Sequence, residues 1–84
     1  MDKFEKACQI IKKIDNVSDN DKLFLYAHYK QVNNGNNNEK EPSYFQFVEN
    51  AKWKAWKKLE GMSKEEAMNQ YINKVKEIII AIRK

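Results

Sequence analysis

Apolar residues recur at three- and four-residue intervals through most of the chain, the spacing of one face of an α-helix. Phe4, Ala7, Cys8, Ile11 and Ile14 form the first such stripe, with Lys3, Lys6, Lys12 and Lys13 mostly elsewhere, and predict a helix over roughly residues 3–14. Asn16, Ser18, Asp19 and Asn20 interrupt it and supply N-cap groups for a second helix, from about Asp21 to Val32. There Leu23, Phe24, Leu25, Tyr26, Ala27 and Tyr29 cover nearly the whole circumference. A helix apolar all round has more than one face to hide. In a small protein one face goes to the core, and the second must meet something else.

Residues 33–46 are polar and asparagine-rich, with Gly35 placed to end the second helix in left-handed backbone. Loops this long are often functional or mobile; the asparagine run reads equally as composition bias without a role. A third helix is predicted over roughly Val48 to Leu59, carrying Trp53, Trp56 and Leu59 and stopped by Gly61. Ser63-Lys64-Glu65-Glu66 is a capping-box pattern opening a fourth helix, whose apolar set runs Ala67, Met68, Tyr71, Ile72, Val75, Ile78, Ile79 and Ile82. No strand alternation and no internal repeat interrupts this pattern. The prediction is one all-α domain over 1–84, a bundle of four helices.

Composition narrows the class. With 84 residues and a net charge of +4, the chain is one small, modestly basic domain, without room for a cleft between two lobes. The charge suggests an anionic partner such as a phosphate-bearing ligand, nucleic acid or lipid headgroups. Cys8 is the only cysteine, so no internal disulfide forms, and no metal-ligand cluster is visible. It reads as a small buried residue. The N-terminus has no hydrophobic signal region, and the longest apolar run, Ile78 to Ile82, is far too short to span a bilayer. The expectation is a reduced, cytoplasmic monomer.

The chemistry gathers on few positions. Tyr26, Tyr29 and Lys30 are spaced i, i+3, i+4 and project from one side of the second helix. Lys52 sits beside Trp53, Lys12 closes the first helix, and Tyr71 lies within the fourth. Lysines donate charge-assisted hydrogen bonds to phosphate. Tyrosines offer a flat apolar face to a base and a hydroxyl to a polar group. Together they suit a ligand with a phosphate, an aromatic base and an apolar part. On spacing alone, the same residues also fit tyrosines packed on a core and lysines in solvent. Trp53 and Trp56 read first as core. His28 has no partner carboxylate or nucleophile in a recognisable arrangement and reads as a packed or partly exposed histidine.

Four segments carry a family resemblance. Leu23-Phe24-Leu25-Tyr26-Ala27-His28-Tyr29-Lys30-Gln31 closely resembles the second-helix signature of the acyl-CoA binding proteins. Ala51-Lys52-Trp53-Lys54-Ala55-Trp56 resembles their third-helix signature, and Gly61 to Met68 with Tyr71 to Val75 their turn into the fourth helix. Phe4-Glu5-Lys6-Ala7 is similar to their start. The resemblance covers essentially the whole chain in order. It implies an up-down-down-up four-helix fold that binds one long-chain acyl-CoA, needs no cofactor, catalyses nothing, and passes its cargo transiently to acyl-CoA-using enzymes. By resemblance, Tyr26, Lys30 and Lys52 hold the 3′-phosphate of the CoA ribose and Tyr29 stacks on the adenine. Lys12 reaches the phosphates, and Tyr71 lies near the adenine and the start of the acyl chain. Leu23, Leu25 and Trp53 line the acyl groove, with Cys8 a small residue near the ligand. The chain departs from the family in a shorter first loop without its frequent proline. Val48 and Asn50 stand where many relatives carry lysines, and Ser43 follows Pro42 where glycine is frequent.

Two other classes compete. A nucleic-acid module is disfavoured because Glu39, Glu41, Glu49, Glu60, Glu65 and Glu66 dilute the positive charge and no recognition-helix motif occurs. An acyl-CoA isomerase or thioesterase is disfavoured because no nucleophile, base and oxyanion set is evident.

Overall fold

The computed structural model describes residues 2–83. Four helices follow one another: α1 (Lys3–Lys12), α2 (Asp19–Asn34), α3 (Phe47–Lys57) and α4 (Lys64–Arg83). Each starts within about two residues of its sequence expectation, while α1 and α3 stop two residues early and α2 runs two further.

Local chemistry sets the ends. The Asp2 carboxylate accepts from the Glu5 amide at 2.7 Å and the Ser18 hydroxyl from the Asp21 amide at 3.1 Å, so both helices open on a side-chain cap. Ser63 accepts from the Glu66 amide at 3.0 Å. Only half of the expected capping box forms, because the Glu66 carboxylate takes a bond from Gln70 at 2.7 Å. Gly35 ends α2 at φ 77°, a left-handed backbone conformation that glycine adopts without Cβ strain.

Pairs across the helices give the topology. Tyr26 faces Lys52 and Lys30 faces Trp56, a constant offset that makes α2 and α3 parallel. Asp21 faces Lys74 while Gln31 reaches Met62, so α2 and α4 are antiparallel. Phe4 packs on Tyr71, and Ala7 and Ile10 lie beside Ile72, Val75 and Ile79, which makes α1 parallel to α4. The order is up-down-down-up, as the resemblance implied.

The core lies where α4 meets α1 and α2. Phe4, Ala7, Leu25, Val32, Ala67, Tyr71, Val75 and Ile78 form one buried cluster. Ala67, with no exposed surface, permits close approach there. His28 is packed rather than partly exposed: it is buried, its Nδ1–H donates to the Phe24 carbonyl at 2.7 Å, and its ring stacks on Phe24. Burial pushes its pKa below 6.5, with the Phe24 carbonyl and Glu66 opposing.

The loop from Gly35 to Gln46 is tied down rather than loose, which gives the asparagine run a role. Asn36 accepts from Gln31 at 2.9 Å and from the Gly61 amide at 2.8 Å. Asn37 is buried; it donates to the Trp53 carbonyl at 3.0 Å and accepts from the Glu39 amide at 2.9 Å. The indole N–H groups of Trp53 and Trp56, one helical turn apart, donate to the carbonyls of Glu39 and Gly35 at 2.8 and 2.9 Å. Buried polar groups must be paired, and short amides and indoles supply the pairing.

Candidate functional site

The second face of α2 opens onto three adjoining hollows. The first, about 320 Å³, is framed by Ile11, Ile14 and Val17 from the α1 side, Lys22, Leu25, Tyr26 and Tyr29 from α2, and Tyr71 from α4. The second, about 350 Å³, lies between α2 and α3, with Leu23 and Tyr26 facing Phe47, Val48, Ala51 and Lys52. The third, about 400 Å³, runs along α1 from Asp2 to Lys12 and includes Cys8, Tyr29, Lys64 and Met68. Tyr26 borders the first and second hollows, and Tyr29 the first and third. The two tyrosines that helical spacing put on one side of α2 are thus partitions in a row of concavities, each of a size suited to small-molecule binding.

One lysine lies over the Tyr26 ring and a second stands one helical turn further along α2. The Lys52 ammonium lies 5.3 Å from the Tyr26 ring centroid, and the Lys30 ammonium lies 4.8 Å from that of Trp56. Trp56, 1% exposed, is therefore a rigid seat for Lys30. Each lysine also leans towards a carboxylate: Lys30 to Glu39 at 3.9 Å and Lys52 to Glu49 at 3.8 Å. These separations are long and both carboxylates are mostly exposed, so each pair is worth at most about 1 kcal/mol. An anion with more charge and more acceptors than a carboxylate displaces them at little cost. Burial first, then Glu39 and Glu49, raises the Tyr26 pKa, so its hydroxyl stays a donor at neutral pH.

Tyr71 is buried, its ring edge-on to Phe4 at 5.0 Å and tilted against Tyr29 at 6.5 Å. Burial, with help from Cys8 beside it, pushes its pKa far above the usual tyrosine value. Burial likewise raises the Cys8 thiol, against the opposing effects of Tyr71 and Lys12. Both groups are neutral at physiological pH, which suits a wall and not a nucleophile.

Most residues singled out from the sequence therefore meet here. Leu25, Tyr26, Tyr29 and Tyr71 line the first hollow, Leu23, Tyr26 and Lys52 the second, and Cys8, Lys12 and Tyr29 the third. Cys8 is half-buried rather than buried, because it lines a cavity instead of filling the core. Leu25 serves both core and hollow. Trp53 is not among the residues lining the three hollows, since its indole is turned to the Glu39 carbonyl. Lys30 stands on Trp56 at the rim rather than in a wall.

Sequence reading missed Phe47, Val48 and Ala51, which form the α3 wall of the second hollow. Tyr44, Phe45, Phe47 and Val48 are 72%, 74%, 76% and 67% exposed, an apolar ridge at the start of α3. The signal was present as aromatic residues just ahead of α3, out of phase with Trp56. Asn50 is buried, its amide donating to the Pro42 carbonyl at 2.9 Å; its work is to fold the loop. Among the described residues no cluster of His, Cys, Asp and Glu could hold a metal ion, and no helix is long and apolar enough to cross a membrane.

Comparison with known proteins places the fold in a family. The acyl-CoA binding protein family model matches residues 1–75. An acyl-CoA-binding protein of Ricinus communis is 43% identical over 77 residues, 90% of this chain and 86% of that protein. Acyl-CoA-binding domain-containing protein 3 of Oryza sativa is 46% identical over 76 residues, 89% of this chain; the match spans 49% of that longer protein. The crystal structure of Oryza sativa acyl-CoA-binding protein 2 superposes with a TM-score of 0.93 at 41% identity, covering 98% of this chain and 90% of that one. That of the Moniliophthora perniciosa protein gives 0.89 at 34% identity, over 94% of this chain and 79% of that one. Matched by the family model over residues 1–75 and in its four-helix fold by these solved structures, this chain belongs to the acyl-CoA binding protein family.

Proposed function

We propose that the protein binds one long-chain acyl-CoA and carries it without transforming it, shielding the thioester and delivering it to enzymes that consume it. The observation that carries this reading is the Tyr26 partition: a tyrosine with Lys52 over its ring and an apolar hollow on either side, with Lys30 one helical turn along α2 over Trp56. The 3′-phosphate displaces Glu39 and Glu49 and takes hydrogen bonds from Tyr26, Lys30 and Lys52. The adenine stacks on Tyr29, beside Tyr71. Lys12 meets the remaining phosphates from the end of α1, with Cys8 as a small wall. The acyl chain runs between α2 and α3 along Leu23 and, beyond the sequence expectation, Phe47, Val48 and Ala51, while Leu25 floors the neighbouring hollow.

Magnitudes divide the labour. Burying a chain of about 16 carbons contributes up to ~10 kcal/mol at ~0.8 kcal/mol per CH₂. Charge-assisted bonds to phosphate add about 1.5–3 kcal/mol each. Tail burial gives most of the affinity and the headgroup gives identity. Neither half alone binds tightly, so free fatty acid and bare CoA are poor ligands. Holding rather than turnover fits the site, where Cys8 and Tyr71 keep their protons and His28 is sealed in the core.

Titration calorimetry with palmitoyl-CoA tests this directly. Tight one-to-one binding is expected, with the dephospho-CoA ester distinctly weaker. No heat at micromolar protein overturns the proposal, and an equal response to the dephospho ester removes the 3′-phosphate assignment. Release of free thiol during incubation would mark an enzyme instead.

A further inference from the structure

We propose that the trough between α1 and α4 docks an acidic amphipathic helix of a partner protein. The trough, about 210 Å³, shares no lining residue with the three hollows. Its floor is aliphatic: Ile10, Ile72 and Ile79, over the buried Ala7 and Val75. Its walls are cationic, with Lys3 and Lys6 on α1 and Lys76 on α4. No carboxylate lines it, and the acidic residues of both helices are placed elsewhere. Glu5 and the α1 cap Asp2 line the third hollow, Glu65 and Glu66 sit in the first turn of α4, and Glu77 leans to Lys74 at 3.7 Å. Among the described residues, Lys3, Lys6 and Lys76 take part in no ion pair, unlike Lys30, Lys52 and Lys74. Ile82 and Arg83 follow Ile79 by three and four residues and extend the same stripe of α4, with Ile82 exposed.

Charge and shape together choose the occupant. Lysines on both rims of an apolar floor complement a helix with aliphatic residues every third or fourth position and acidic residues on either flank, a recurrent helix-in-groove mode. A planar anionic lipid surface would meet the rims and leave the concave floor unfilled. Lys76 and Ile79 lie past residue 75, where the family model's match ends. A partner held here leaves the hollows on α2 open. The inference therefore stands apart from the carrier reading.

The probe is a synthetic blocked peptide of about four helical turns, built of Glu, Ala and Leu, with leucines on one face and glutamates beside them. It is titrated into the isotopically labelled full chain, with and without palmitoyl-CoA, and followed by amide chemical shifts. Saturable shifts are expected at Lys6, Ala7, Ile10, Lys76 and Ile79, with affinity falling by about tenfold or more in ~0.5 M salt. The double variant Lys6→Glu/Lys76→Glu and the single variant Ile10→Asp should lose the shifts while retaining wild-type circular dichroism and palmitoyl-CoA binding. All three positions are exposed, so these variants fold. Three results overturn the proposal: shifts centred on Lys30 and Lys52, undiminished binding by the double variant, or shifts with phosphatidylglycerol vesicles and none with the peptide. Peptide docking without palmitoyl-CoA binding would sink the carrier reading alone, and the reverse would sink the trough alone.

Discussion

The two sides of α2 make opposite use of similar residues. Towards α4 and α1, Leu25 and Val32 meet Ala67, Tyr71, Val75 and Ile78 in a buried cluster, whose edge at Leu25 and Tyr71 borders the first hollow and at Val32 the third. Towards α3, Tyr26 and Lys30 meet Lys52 and Trp56 across cation–ring contacts and long ion pairs, beside hollows of a few hundred cubic ångströms. One side is dominated by buried aliphatic and aromatic side chains; the other carries exposed lysines and is bridged by the hydrogen-bonded loop. The difference teaches that stability and binding are largely separable in this molecule, although one helix serves both. A tightly filled cluster has no vacancy for a ligand, and a vacant one contributes little to folding.

Ile78→Ala tests the buried side and should have the largest effect. It should cost about 2–5 kcal/mol in urea unfolding, the range for truncating a buried aliphatic side chain. The fraction that remains folded should still bind palmitoyl-CoA normally, and a large loss of affinity would break the separation. On the open side, Lys30→Ala or Lys52→Ala should do the reverse. Affinity by calorimetry should fall by about 1.5–3 kcal/mol, and the dephospho ester should lose its disadvantage. Unfolding should move by no more than about 1 kcal/mol, because exposed ion pairs contribute little.

Asn37→Ala sharpens the comparison from the hinge between the two sides. It deletes the bonds to the Trp53 carbonyl and the Glu39 amide, so about 1–3 kcal/mol of stability should go. Affinity should drop as well, because Asn37 ties the loop to α3, which walls the second hollow. A variant that lost stability but kept full affinity would show that the loop does not shape the site. The smallest effect concerns pH. Burial holds the folded-state pKa of His28 below its unfolded 6.5, so the unfolded chain binds the extra proton first. The stability linked to neutral His28 is complete above that pKa and is lost as pH falls through the window beneath it. The urea midpoint should therefore drop between about pH 7.5 and about pH 5.5, less steeply in His28→Gln.

Much of this was legible in the chain. The apolar stripes at helical spacing fixed four helices, because burying one face of each is the only way such stripes leave water. The all-round apolar character of α2 announced a second surface, and the spacing of Tyr26, Tyr29 and Lys30 put its polar groups on one side. Other parts depended on the packed molecule. That Asn36 and Asn37 are fasteners and not filler follows from carbonyls of α3 and an amide at Gly61 that reach them only across the fold. That Trp53 turns to the loop while Phe47 and Val48 line the hollow depends on the angle at which α3 meets α2. A lysine-walled trough between α1 and α4 exists only once those helices lie parallel and in register. Periodicity is a property of one helix at a time and survives in sequence. A cavity is the gap left between several helices, and its walls are chosen by packing.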